Sequence, residues 1–230
     1  MIASLCWYPA TRPVWDRLWQ GIRAHLGWGP DTLVWPDSFA THWRDRDLVL
    51  GMTCALPMQM GLSDDVTVVG SPVWDVPDMQ PGHYASVLVT RSDDPRDLTQ
   101  AAAAGLAVNA PDSQSGWGTL RATDLRGPVQ VTGSHAASMD AVARGQAHLA
   151  AIDRITWMMA PHPDLTVRRI TPPTPSTPFI TARPDWRVPV RQALEAAIAE
   201  MRNEDRAATR LIGVTDLQAS AYAVPQANPA

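Results

Sequence analysis

Short apolar runs that alternate, twice over, with helix-period segments constrain this chain more than any other feature. The runs Leu48–Thr53, Val66–Gly70, Leu106–Val108 and His148–Ile152 are almost continuously apolar. Strands of that kind are covered on both faces, as in sheets flanked by helices. Between and after them, Val14, Trp15, Leu18, Trp19, Ile22 and Leu26 fall on one helical face, as do Val190, Leu194, Ala197, Ile198 and Met201. The expectation is an α/β fold rich in parallel strands.

In the first series, a strand Ile2–Tyr8 leads to a helix with Thr11 as its cap and Pro13 in its first turn, where a missing N–H costs little. Residues 27–30 (Gly-Trp-Gly-Pro) end that helix. Leu33–Trp35 reads as a short strand and Ser38–Arg44 as a short helix. Residues 74–82 read as a loop, and His83–Thr90 as the longest strand. Residues 91–95 form a turn in which Asp93 or Asp94 caps the following helix. The second series has strands at 106–108, 129–131, 148–152 and 167–170, with helices at 115–125, 138–144 and 154–159. Thr171–Pro178 is a Pro-rich connector, too stiff for a random coil. A strand at 179–182 and helices at 188–201 and 204–212 come next, and the tail after Ala219 reads as loose. Tyr84–Thr90 and the Pro-rich return look like two crossings between two lobes. Lobe 1 would comprise 1–84 plus 174–230, lobe 2 would comprise 85–173, and a ligand cleft would lie between them.

Composition excludes several function classes. The formal net charge is −4 with no block of like charges, which argues against broad electrostatic binding to nucleic acid or to an anionic membrane surface. Every basic residue apart from histidine is Arg, so Schiff-base chemistry and a phosphate-loop lysine are impossible. Cys6 and Cys54 form no CxxC pair, and the spacing supports no disulfide. The six histidines lack zinc-ligand spacing, so neither a metal nor a cofactor is expected. No run approaches the roughly 18 apolar residues of a membrane span. The N-terminus reads as a strand without a signal-peptide pattern, so the chain as given reads as cytosolic or as a mature form lacking its export signal.

The segment Asn109-Ala-Pro-Asp-Ser-Gln-Ser-Gly-Trp-Gly-Thr-Leu120 carries the chemistry. A strand there empties into a Ser- and Gly-rich helix start, whose first N–H groups lack intrahelical partners and favour an anion. Thr132-Gly-Ser-His-Ala-Ala-Ser138 is a second such start and carries a His. Together they suggest a grip on a small oxyanion. In the alternative reading, Asp112, Ser113 and Ser134 are helix caps and nothing more.

Five motifs in order carry a resemblance. They are Thr53-Cys-Ala-Leu-Pro57, Val108–Gly116, Thr132–Ser138, Ala150-Ala-Ile-Asp153, and Pro172-Pro-Thr-Pro175 with Pro178-Phe-Ile-Thr181. Over about residues 1–215 the chain resembles the phosphate/phosphite/phosphonate-binding family of ABC-transporter solute receptors. The resemblance implies the type II periplasmic-binding-protein fold: two α/β lobes with mixed sheets flanked by helices. It implies non-catalytic binding of phosphate, phosphite or an organophosphonate, with an ABC permease as partner and a monomeric state. Periplasmic location is implied as well, with the cytoplasm as the alternative. Ser113, Gln114 and Ser115 match the polar helix start that holds the anion's oxygens, and His135 matches a second-lobe donor. Asp153 matches a carboxylate facing the cleft, while Tyr8 and Thr53 sit at first-lobe strand ends. Where the family often has Arg after the His, this chain has Ala136.

The residues leave alternatives open. Asp153 could cap the helix from Arg154, His135 could be a surface residue, and Tyr8 could be plain core. Trp74 and Trp117 are expected near the cleft, the other tryptophans in the core. A cytosolic sensor, or an enzyme on the same fold acting on a phosphorylated compound, is the alternative function. Only His135, Asp153 and Cys54 offer groups for such catalysis, and no triad spacing joins them.

Overall fold

The structure, a computed structural model, describes residues 1–5, 7–36, 38–217 and 219–222. Cys6 and most of the tail after Ala219 lie outside the described residues. The chain divides into two compact units, one built from Met1–His83 with the chain from Pro175, the other from Tyr84–Thr174.

The first stretch contains β1 (Ile2–Ala3), α1 (Arg12–Leu26), α2 (Phe39–His42), β2 (Leu48–Met52), α3 (Ala55–Gln59), β3 (Thr67–Trp74) and β4 (His83–Tyr84). The second contains β5 (Ser86–Arg91), α4 (Leu98–Ala104), β6 (Leu106–Val108), a π-helical turn (Gln114–Gly118), α5 (Thr119–Arg121), β7 (Val129–Val131), α6 (His135–Ala143), β8 (Leu149–Asp153), α7 (Arg154–Met159) and β9 (Leu165–Ile170). The return holds β10 (Thr174–Pro175), β11 (Phe179–Thr181), α8 (Arg187–Ala199), α9 (Asn203–Thr209) and β12 (Leu211–Thr215).

The first unit's sheet has the order β1-β2-β11-β3-β12. Only β1 and β2 are parallel; β11 runs against β2 and β3, and β12 against β3. The second unit's sheet has the order β7-β6-β8-β5-β9. There β6 is parallel to β7 and β8, each reached by a helical crossing, while β5 opposes β8 and β9. The sheets are therefore mixed, and the parallel expectation holds for the strands that feed helices.

In the second unit, period-2 alternation sorts side chains into two cores. Val87, Val89, Ala107, Ala150 and Ile152 face Met139 and Val142 of α6. Leu88, Leu106, Val108, Leu149 and Ala151 face Ala101 and Ala102 of α4 and Leu120 of α5. The central runs Val87–Val89, Leu106–Val108 and Leu149–Ile152 are apolar on both sides because each face has its own helical cover. In the first unit, α1 buries Trp15, Trp19 and Ile22 and packs along α8. Gly27 ends α1 in the left-handed region at φ 73°. Asp205 of α9 accepts paired hydrogen bonds from Arg17 of α1 and from Arg202, which hold its carboxyl well below the usual range.

Several local expectations are corrected. Thr11 does not cap α1 with its side chain; its Oγ1 donates to Tyr8 O and accepts from Trp15 Nε1. Leu33–Trp35 is not a strand, although Val34 N–H donates to Ala3 O. The cap of α4 is Asp97, in a reciprocal box with Gln100, because Asp93 and Asp94 are taken up by Arg91 and Arg96. The helix expected to run to Ile212 ends at Thr209, and Leu211–Thr215 is a strand. The run from Ser115 to Leu125 is a π-turn and one α-turn, ending at Arg121.

Candidate functional site

The parallel strands β6, β7 and β8 all end on one edge of the second unit's sheet, and a helical segment comes after each. In each case a side chain caps the new start. Ser113 Oγ accepts from Gly116 N–H, Ser134 Oγ from Ala137 N–H, and Asp153 Oδ1 from Ile155 and Thr156 N–H at 2.6 and 3.2 Å. Three helical starts with orphan N–H groups thus converge where open α/β sheets meet ligands. The first two are tied together, since Thr132 N–H donates to Val108 O and Gly133 N–H to Asn109 O.

The π-turn is held from behind. Gly118 N–H reaches Ser113 O, five residues back, and Thr119 Oγ1 donates to Gln114 O. Ser86 of β5 donates to Ser115 O at 2.9 Å and bonds Thr119 Oγ1 at 3.0 Å. Sequence reasoning misses Ser86 and Thr119; for Ser86 the available signal is a small hydroxyl between the apolar residues Ala85 and Val87. Gly116 is required, because a Cβ there would collide with Asn109 Oδ1.

Ser115 and His135 come together, with Oγ 2.8 Å from Nε2, and Ser115 Oγ lies 3.5 Å from Ser113 Oγ. His135 is half-buried as a residue, but its Nδ1 is inaccessible and has no partner among the described residues. Burial pushes its pKa down to about 4, so the ring is neutral at pH 7. Gln114 is buried, and neither its Oε1 nor Asn109 Oδ1 has a hydrogen-bond partner among the described residues. Asp153 pairs in register with Ser86, which sets both side chains on the sheet face that carries the π-turn. It is buried and serves as the N-cap of α7. Of the two readings of Asp153, the cap of α7 is the one seen in the structure.

The other two candidates belong to the first unit. Tyr8 comes after β1 and is buried; its ring stacks near Trp15 and meets Trp74 edge-on at 5.4 Å. Trp74 is core and donates from Nε1 to Ser176 Oγ at 2.7 Å. Thr53 comes after β2, is fully buried, and donates its N–H to Pro178 O, while its Oγ1 has no partner among the described residues. Trp117 is partly buried against the core of the second unit. Among the described residues, no group of three or more His, Cys, Asp or Glu could hold a metal ion. No described helix is long and apolar enough to cross a membrane.

Solved structures share this fold. A Xanthomonas citri protein bound to ATP matches at TM-score 0.71 and 13% identity, over 96% of this chain and 92% of that one. A binding-protein component of an ABC phosphonate transporter from Pseudomonas aeruginosa matches at TM-score 0.72 and 14% identity, over 92% and 78%. PhnD1 from Prochlorococcus marinus, in complex with methylphosphonate, matches at TM-score 0.70 and 14% identity, over 96% and 93%. The fold is that of the type II periplasmic-binding proteins. No curated protein matches the sequence significantly. The family model described as ABC transporter, phosphonate, periplasmic substrate-binding protein matches residues 58–223. That match spans most of the chain, which therefore belongs to the phosphonate-binding family of ABC-transporter solute receptors.

Proposed function

We propose that this protein binds a phosphonate or a closely related phosphorus oxyanion without catalysis, and delivers it to an ABC permease. The observation that carries this reading is the convergence of three capped helical starts with the Ser115–His135 hydrogen bond on one sheet edge. Backbone N–H groups at the π-turn, the Ser113 and Ser115 hydroxyls and the Gln114 amide supply donors to a tetrahedral anion. His135 adds one donor as neutral imidazole. In the first unit, Tyr8 and Thr53 are that unit's ligand contacts. Binding of methylphosphonate by a relative of this fold is consistent with the assignment. Periplasmic residence is taken from the family's.

Asp153 gives the site its selectivity. An ionised carboxylate only accepts hydrogen bonds, so it favours an anion that still carries a P–OH proton and disfavours sulfate, which has none near neutral pH. Asp153→Asn keeps a capping side chain and adds a donor. It should raise sulfate affinity; unchanged rejection of sulfate in isothermal titration would remove Asp153 from this role.

Ser115 beside His135 has the outline of a nucleophile and base, but the chemistry is unfavourable. A ring with its pKa at about 4 is a weak base, and no described carboxylate orients its Nδ1. The pair suits holding an anion. Titration with methylphosphonate, phosphite, phosphate and sulfate tests the reading: micromolar or tighter binding of a phosphorus anion is expected, weakened in Ser115→Ala and His135→Ala.

A further inference from the structure

Asn109 stands between the two helical starts that carry the serines and His135. It comes directly after β6, and its main-chain O accepts from Gly133 N–H, one residue before the cap Ser134. It is 9% exposed, yet its side-chain amide makes no hydrogen bond among the described residues. A glycine decides which way the amide faces. The hydrogen that Gly116 carries in place of a side chain points at Asn109 Oδ1, since a Cβ built there would overlap that oxygen and lie 3.3 Å from Ser113 Oγ. A C–H group meets an amide oxygen favourably and an amide NH2 unfavourably. The oxygen is therefore the end that faces the π-turn and is enclosed there, and Nδ2 is the end left for another partner.

The polar groups beside it form a file. Ser113 Oγ accepts from Gly116 N–H and lies 3.5 Å from Ser115 Oγ, which is 2.8 Å from His135 Nε2. A buried amide N–H without an acceptor is costly and calls for one. We infer that Asn109 is a further anion-binding residue, donating from Nδ2 to an oxygen of the anion held at the π-turn. The inference rests on the phosphonate reading above, and every group that it uses lies in the second unit. The seat on Gly116 fixes the direction of the donor in advance, so a bare anion oxygen finds the N–H already aimed. A carboxylate in the same place could only accept, and would demand a proton from the ligand.

Calorimetric titration of methylphosphonate into the wild type, Asn109→Ala and Asn109→Asp tests this at about pH 8 and about pH 5.5. His135, with its pKa at about 4, is neutral at both. Asn109→Ala should weaken binding about tenfold to a hundredfold at both pH values. Asn109→Asp keeps an oxygen on Gly116 but replaces the donor with a carboxylate oxygen. Relative to the wild type, it should bind about a hundredfold or more weakly at the higher pH, where the anion has no proton to offer. At the lower pH, where a P–OH can donate to the carboxylate, it should recover to within about tenfold. In the nitrogen–proton correlation spectrum of the wild type, the Asn109 NH2 pair should shift on saturation with methylphosphonate and exchange more slowly with water. An Asn109→Ala affinity within about twofold of the wild type overturns the inference. So does an Asn109→Asp deficit that is the same at both pH values, or an NH2 pair that methylphosphonate leaves unmoved. Those results would make Asn109 the packing partner of Gly116 and leave phosphonate binding standing. If a variant fails to fold, the wild-type spectrum still decides. Absence of methylphosphonate binding by the wild type would instead remove the phosphonate reading and this inference with it.

Discussion

The two units solve different problems with similar sheets. In the second unit, three parallel strands deliver three helical starts to one edge, and small polar side chains cap them. In the first unit only β1 and β2 are parallel, and the segments after them are aromatic and aliphatic: Tyr8 against Trp15 and Trp74, and α3 with Ala55, Leu56 and Met58 buried. Among the described residues, the second unit's buried side-chain atoms without a hydrogen-bond partner include a histidine nitrogen and two amide oxygens, and the first unit's include two threonine hydroxyls and the indole N–H groups of Trp7 and Trp35. On the proposed reading, one unit meets an oxyanion and the other offers neutral contacts.

Acid should separate the units most strongly. The folded pKa of His135, about 4, lies below its unfolded value near 6.5. The unfolded chain therefore takes up the proton first. The stability that His135 contributes is complete above about pH 6.5 and is lost as pH falls toward 4, amounting to about 3 kcal/mol. Asp205 has a depressed folded pKa, so its contribution is present above about pH 4 and falls away only below that. Burial also lowers the pKa of His42 in the first unit, less strongly than that of His135. Hydrogen exchange between pH 6.5 and 4.5 should therefore show the second unit losing protection first, with His135→Gln reducing the difference. Equal loss in both units would break the comparison.

Binding comes next. Ser115→Ala removes the hydroxyl that meets His135 and, on the proposed reading, the anion, and should weaken phosphonate binding by about 10–100-fold, or about 1.5–3 kcal/mol, with thermal stability little changed. A loss confined to stability would make Ser115 structural.

Smaller effects sharpen the contrast. Asp205→Asn should cost about 1–2 kcal/mol, because Arg17 and Arg202 are half-exposed and can turn to water. Denaturant unfolding measures it, and phosphonate affinity should be unchanged. Asp97→Ala, which opens the capping box of α4, should cost about 1 kcal/mol. An affinity change in either variant would mean that these scaffold contacts reach the site.

Much of this is legible in the sequence because local rules decide it. The α7 boundaries, Arg154–Met159, agree with Asp153 as a cap, and the periodic faces of α1 and α8 are those that are buried. Legibility fails where tertiary partners or unusual backbone intervene. Arg210 ends α9 in the left-handed region at φ 57°, without the Gly that usually marks such a stop, so the start of β12 reads as helix in the sequence. Asp93 and Asp94 are plausible caps by position, but Arg91 and Arg96 claim them. At the candidate site, the Ser and His types and their order are readable. The support that Ser86 gives Ser115 is not, because it depends on β5 lying beside β8.

The most direct measurement is isothermal titration of the purified protein with methylphosphonate and with sulfate, repeated in His135→Ala and Ser115→Ala. Micromolar or tighter methylphosphonate binding, little sulfate binding, and marked weakening in both variants are expected. Absence of methylphosphonate binding, or equal affinity for sulfate, would contradict it.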